Sequence, residues 1–397
     1  MDSNSQYFIA LLVAFLKDTI PPKPVNVDWN KIYELASMHS LSGAVYLAIQ
    51  SLDEDNKPEL LTLNKFKADF FYATLRYEEQ EKAYCEIKKE LNKEKIKHLF
   101  FKGIVIREYY PVKQMRTLGD IDFLIHKKDQ NAVKKFFTQM GYKDKSSVVH
   151  DKYEKGKVII EAHDKIMNRE INSKVDYFAY FENAWDYSIS KEKYTYELSL
   201  DYHLVYLLTH IAKHIYGSGA GIRMIFDIAV IIDKFGDTLD FTFIWKELKK
   251  IKLDMFARNI FGLCERWFQV KIPDTEFEID ELTYRAMSEY IIEGGTFGFS
   301  NNNVAIWLLR KSYSKKTSLK LMQFKAFWGK IFLNFGEMEE KYPILEKLPF
   351  LLPVAWVHRW YRGITKKPAK TLKLTKGIFN CAQEAEQSYD MLKRIGL

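Results

Sequence analysis

The sequence predicts an α+β fold: a small mixed-sheet core of about a hundred residues, set between N-terminal helices and a C-terminal helical domain. Three observations predict it. Apolar residues recur at helical spacing before Lys95 and after Leu198; short apolar runs alternate with helical stretches between those points; and helix breakers are sparse, with 18 Gly and 10 Pro in 397 residues. The expected division is residues 1–95, an N-terminal helical segment; 96–197, the α+β core; and 198–397, a C-terminal helical domain with a basic tail. A composition 47% hydrophobic and 15% aromatic is sufficient to bury such a core and excludes global disorder.

In chain order, the apolar run 7–16 reads as a buried helix. It is about half the ~20 residues that cross a bilayer, and the six residues before it lack the positive charge of a secretory leader. Leu63, Phe66, Phe70, Ala73, Tyr77, Tyr84, Ile87 and Leu91 recur at steps of three, four or seven, the stripe of one long amphipathic helix. Residues 98–101 form a short apolar strand, and Gly103 opens a helix over 104–110. Ile121, Phe123 and Ile125 interleave with Asp120, Asp122 and Leu124 at the period of a strand. Val133, Phe136, Phe137 and Met140 give a helix over 128–140, closed by Gly141. Strands over 146–153 and 157–163 meet at Lys155-Gly156. Helices follow over 202–216 and 222–235, parted by the glycines of 217–221, then over 241–267 and 280–292. Further on, Pro343, Pro349 and Pro353 limit helix length and argue against a regular amphipathic helix over 348–357.

Cys85, Cys264 and Cys381 are far apart and form no CxxC or disulfide framework, which fits a reducing, cytoplasmic setting. The net charge of +8 is uneven: residues 301–397 carry 18 Lys+Arg against 7 Asp+Glu, net +11, leaving −3 for the first 300. Such a tail suggests a polyanion or an anionic surface as partner; a solvated helical face is the plain alternative. No RNP-like aromatic strand or helix-turn-helix signature marks specific nucleic-acid recognition.

The residues that carry chemistry lie in the core. Alternate strand residues share a face, so Asp120 projects with Asp122 and Glu161 with His163, and neighbouring strands bring the three carboxylates together. Such a cluster suits two Mg²⁺ ions, hard cations whose charge offsets the repulsion of the acids. A nucleoside triphosphate is the natural substrate of that pair. Because clustered acids repel, neutralising Asp122 is expected to leave the fold nearly intact. An acid following Val158-Ile-Ile160 would be costly to bury without a cation, which singles out Glu161.

Gly103, Asp120-Ile-Asp122 and Glu161 resemble the DNA polymerase β-type nucleotidyltransferase superfamily, where a Gly-containing turn precedes an acidic-hydrophobic-acidic strand and a third acid lies on a later strand. Lys102-Gly103, Arg116-x-x-Gly119-Asp-Ile-Asp122, Glu161-Ala-His163, His210-Ile-Ala-Lys-His214 and Arg223-x-x-x-Asp227 resemble more closely a bacterial family of largely uncharacterised nucleotidyltransferases, over about residues 97–233. The resemblance implies transfer of a nucleoside monophosphate from an NTP to a hydroxyl with loss of pyrophosphate. Asp120, Asp122 and Glu161 would be the catalytic acids and metal ligands. Lys102, Gly103, Arg116, Gly119, His163, His210, His214 and Arg223 would bind the nucleotide.

Where the superfamily has Ser or Gly after the turn glycine, this chain has Ile104, so phosphate contact falls to backbone N–H groups of the following helix. His163 either serves the site or hydrogen-bonds within the core. His203, His210 and His214 share a helix face, but no cysteine or fourth ligand accompanies them to make a zinc site. Arg223 and Asp227 are one turn apart and able to pair. His210, His214 and Arg223 are expected to line the second wall of the cleft. Two other function classes stay open: a peripheral membrane or complex-forming protein that works through the basic aromatic tail, and a nucleotidyltransferase-like antitoxin.

Overall fold

The computed structural model describes the chain except residues 147–150, 168–170, 172–174, 218, 274–277, 296–318, 340, 367–371, 373–375 and 377–381. Cys381 and part of the expected strand over 146–153 lie outside the described residues. The fold is α+β. Contacts divide it into two compact units, one of residues 1–215, 219–298 and 396–397, the other of residues 216–218 and 299–395.

In the first unit, α1 (Ser3–Lys17) buries most of its length, from Asn4 to Leu16, and starts at Asp2, whose carboxylate accepts the Ser5 N–H at 2.8 Å. Helices α2 (Trp29–Met38) and α3 (Ser42–Gln50) pack against it. The predicted stripe forms α4 (Leu60–Lys93), 34 residues long, whose C-terminal half lays Ala83, Ile87 and Leu91 on the sheet.

The sheet has seven strands in the order β3-β4-β5-β2-β1-β7-β6. They are β1 (His98–Phe100), β2 (Ile121–Ile125), β3 (Lys143–Asp144), β4 (Asp151–Lys155), β5 (Val158–His163), β6 (Ser188–Ser190) and β7 (Thr195–Leu198). β2 pairs antiparallel with β1 and parallel with β5. β6 and β7 were not legible in the sequence: they are three and four residues long, and β7 is held by parallel pairing with β1 rather than by an apolar pattern of its own.

One face of the sheet carries Phe100, Ile121, Phe123, Ile125, Ile160 and Ala162, packed under α4 and under Val133, Phe136 and Phe137 of α6 (Gln130–Gln139). The Phe137 ring stacks on Tyr153 at 4.4 Å. Burying each such ring contributes about 1.5–3 kcal/mol. The helix expected over 104–110 is shorter: α5 (Gly103–Ile106) has four residues and passes into a 3₁₀ turn.

After α7 (Tyr177–Phe181) and the last strands, α8 (Leu200–Gly217) and α9 (Ile222–Phe235) form where the periodicity predicts. The single helix expected over 241–267 is two, α10 (Phe241–Lys250) and α11 (Asp254–Phe268), because Lys252 takes a positive φ of 53°. α12 (Glu281–Gly294) closes the unit; Asp280 caps it through the Thr283 N–H at 3.0 Å.

The second unit gathers Leu333, Met338, Leu345 and Ala355 into a small core. Contrary to the expectation from its prolines, a regular helix runs over Leu352–Lys366. Pro353 falls in its first turn, where a helix has no use for the missing N–H. Among the described residues no helix is long and apolar enough to cross a membrane.

Candidate active site

The sheet face opposite the α4 core carries the acids. The β2–β5 register sets Asp122 opposite Glu161 and Leu124 opposite His163. One ligand atom each from Asp122, Glu161 and His163 lie within 4.8 Å of one another. The neighbours one residue out of phase, Ile121, Phe123, Ile160 and Ala162, enter the core, so a register slip of one residue would bury the acids and expose the core. Asp120 stands one pleat ahead of Asp122. Its carboxyl is pushed up to about 7, chiefly by the charge of Asp122 and by burial, with Lys102 pulling the other way.

Asp122 is 3% exposed, and its Oδ1 accepts two hydrogen bonds, from Lys102 Nζ at 2.7 Å and His163 Nε2 at 2.8 Å. Burial alone would raise its pKa, but Lys102 and His163 outweigh burial and hold it below the usual carboxylate range. His163 therefore orients an acid, and its ring also meets the edge of Phe101. Lys152 approaches Glu161 at 4.0 Å.

Lys102 occupies an unusual backbone conformation, φ 61° and ψ −138°, which side chains with a Cβ avoid at a cost of about 1–3 kcal/mol. The surroundings over-determine it. Its N–H donates to His203 Nε2 at 3.0 Å, and its carbonyl accepts from Val105 and Ile106. Burial takes the His203 imidazole down to about 3, so the ring stays neutral and its Nε2 stays an acceptor.

The glycine after Lys102 is required by space: a Cβ on Gly103 would lie 2.6 Å from Leu118 Cδ2 and 3.1 Å from Arg116 Nη1. Gly119, in contrast, is exposed with open space around it. α5, which follows this turn, is a single turn of four residues and so contributes little helix dipole to the turn.

Arg116 was expected to face phosphate; instead its fork grips Asp227 of α9, Nε to Oδ1 at 2.8 Å and Nη2 to Oδ2 at 2.7 Å, and Nη1 donates to Thr117 O. Tyr110 donates to the same carboxylate at 2.6 Å. Arg223 is thus not the partner of Asp227 that helical spacing suggested. It donates to Thr117 Oγ1 at 2.9 Å, and burial with the neighbouring charge of Arg116 brings its guanidinium down to about 10. His210 meets His214 edge to face at 4.6 Å. Burial, with His214, Lys213, Lys102 and Arg116 nearby, holds the His210 imidazole well below its ordinary value. Arg223 Nε and His210 Nδ1 are buried without a hydrogen-bond partner among the described residues.

Sequence reading missed the support given by His203 and by Tyr206, whose ring packs on Phe101 at 5.5 Å. The histidine stripe on α8 pointed to His203 but not to its partner, which is a backbone N–H. His203→Ala is expected to cost about 1–3 kcal/mol, the price of an unpaired buried N–H. Denaturant unfolding checks this, and an unchanged midpoint would remove His203 from the turn.

A mixed sheet with an acid-hydrophobic-acid strand beside a third acid on a parallel neighbour defines the class: this is a nucleotidyltransferase, a transferase enzyme. The chain belongs to the family described as uncharacterised nucleotidyltransferase, whose model matches residues 26–269. The likeness therefore runs beyond the motif region, into α2–α4 before it and α10 and α11 after it. No curated protein and no solved structure matches the chain.

Proposed function

We propose that the protein is a cytoplasmic, metal-dependent enzyme that moves a nucleoside monophosphate from a nucleoside triphosphate to a hydroxyl acceptor, releasing pyrophosphate. The observation that carries this reading is the cluster of Asp122, Glu161 and His163, one ligand atom of each within 4.8 Å of the others, beside the cation Lys102 and with Asp120 one pleat ahead of Asp122. The donor set fits a hard divalent ion such as Mg²⁺: three carboxylates offer oxygen, and the crowding that pushes the Asp120 carboxyl up to about 7 is what a cation relieves. When bound, such an ion offsets triphosphate charge and lowers the pKa of an acceptor hydroxyl. Asp120, Asp122 and Glu161 would hold it, and Lys102 adds positive charge where phosphate oxygens arrive. Arg116 acts as a strut between the turn at Gly103 and α9. The deciding experiment incubates the full chain and cell extract with Mg²⁺ and each α-labelled NTP. Labelled acceptors that vanish with Glu161→Gln are expected; transfer that persists in that variant would overturn the reading.

Arg223, His210 and His214 would form the second wall, facing base or acceptor; Arg223 Nε and His210 Nδ1 have no hydrogen-bond partner among the described residues. Arg223→Ala is expected to raise the KM for nucleotide or acceptor by roughly tenfold with little change in Tm, since among the described residues its guanidinium hydrogen-bonds to Thr117 alone. A fall in Tm at constant KM would make Arg223 a packing residue.

One observation favours a surface role for the second unit in addition. On the helix Leu352–Lys366, Val354, Val357, Tyr361 and Ile364 are each more than half exposed and adjoin Arg362 and Lys366, an apolar stripe edged by cations. An anionic bilayer suits that face. Co-sedimentation with phosphatidylserine vesicles but not with phosphatidylcholine ones is the expected result; no binding to either would remove this role.

A further inference from the structure

We propose that Lys102 takes the place of one metal ion in the centre, so that the protein binds a single divalent cation with its nucleotide in place of the two that the sequence pattern led us to expect. The inference rests on the functional reading above and deepens it. Ions about 3.5–4 Å apart are well held by a carboxylate between them that gives one oxygen to each. Asp122 is the acid placed to bridge, with Asp120 one pleat ahead of it on the chain and Glu161 directly across the β2–β5 register. Its Oδ1 already accepts from Lys102 Nζ at 2.7 Å and from His163 Nε2 at 2.8 Å. A carboxylate oxygen has about two lone-pair sites, so two N–H donors fill it. Only Oδ2 remains for a metal, so Asp122 cannot give one oxygen to each of two ions.

The backbone gives an independent reason. Lys102 sits at φ 61° and ψ −138°, a conformation that glycine adopts without strain and lysine does not. A strained lysine persists where its surroundings hold it, and here they do: His203 takes its N–H, and the first turn of α5 takes its carbonyl. The ammonium is consequently fixed against a nearly buried carboxylate, Lys102 being 19% and Asp122 3% exposed at their side chains. His163, bonded to the same oxygen, completes the arrangement. The centre thus carries one permanent positive charge supplied by the chain and leaves room for one supplied by solution.

The test counts ions. The full-length protein is titrated with Mn²⁺ in the presence of saturating α,β-methylene analogues of the four ribonucleoside triphosphates, and bound Mn²⁺ is read by equilibrium dialysis and by electron paramagnetic resonance. One Mn²⁺ per chain, without the spin coupling of a close ion pair, is expected. Lys102→Met, which keeps an unbranched side chain and removes the charge, should bind two and show the coupling. Lys102→Gly is the second variant: it relieves the backbone and should also bind two, so the question stays decidable if the methionine variant does not fold. Two coupled ions in the wild type would overturn the place given to Lys102 while leaving the nucleotidyltransferase reading intact. One ion in both variants would overturn it as well. Neither Mn²⁺ nor nucleotide binding in the wild type would overturn the functional reading and this inference together.

Discussion

Asp122→Asn is expected to abolish nucleotidyl transfer, by roughly 10³-fold or more, and also to cost about 3–5 kcal/mol of stability. Reasoning from the acidic cluster alone predicts the opposite for stability, because removing one of several repelling charges should be harmless. The partners of Asp122 reverse the sign. The carboxylate is 3% exposed and lies between the Lys102 ammonium and His163, so its net electrostatic environment is attractive. An asparagine there leaves Lys102 in a largely buried position without its counter-charge, and breaking one half of a buried pair is far more costly than replacing both halves. Urea unfolding of Asp122→Asn, Lys102→Met and the double variant measures this. The double variant should recover part of the loss, giving a coupling energy of about 1 kcal/mol or more. Additive losses would show that the two side chains do not stabilise one another, and retained transfer in Asp122→Asn would remove the residue from the chemistry.

That reversal marks where sequence reading stops. The strand period placed Asp122 and Glu161 on shared faces correctly, because period 2 is a local property and each strand has an apolar face that must be buried. The long helix α4 was legible for the same reason: its stripe repeats over 34 residues. Partner choice is not local. Nothing in the spacing of Arg223 and Asp227, one helical turn apart, shows that Arg116, 111 residues away, takes the carboxylate with both arms of its fork. Nor does a histidine at position 203 disclose that its partner is the N–H of Lys102, 101 residues away. β7 failed for a related reason: Thr195 to Leu198 is too short to carry a pattern, and its pairing with β1 exists only once the sheet is assembled.

Asp120→Asn is the second large effect, and it separates the two aspartates that sequence alone treats as equivalent. Transfer should again fall by roughly 10³-fold, since a ligand charge is lost. Stability should move the other way. Among the described residues no cation is hydrogen-bonded to Asp120; the strongest influence on it is the charge of Asp122, reinforced by burial, which together push its carboxyl up to about 7. At pH 8 and in the presence of a chelator it is ionised beside a like charge, and the native state bears that repulsion whereas the extended chain does not. An asparagine removes it, so the Tm of the chelated variant should exceed that of the chelated wild type by several degrees. Adding Mn²⁺ should close or invert the gap, because the wild-type carboxylate gains a cation that the amide holds poorly. Below about pH 5 the wild-type side chain is largely neutral in the folded protein, so the gap should shrink there without any metal. A variant less stable than wild type under chelation at pH 8 would mean that Asp120 is held by favourable contacts instead of crowded by Asp122, and the argument that this cluster calls for a cation would lose its footing.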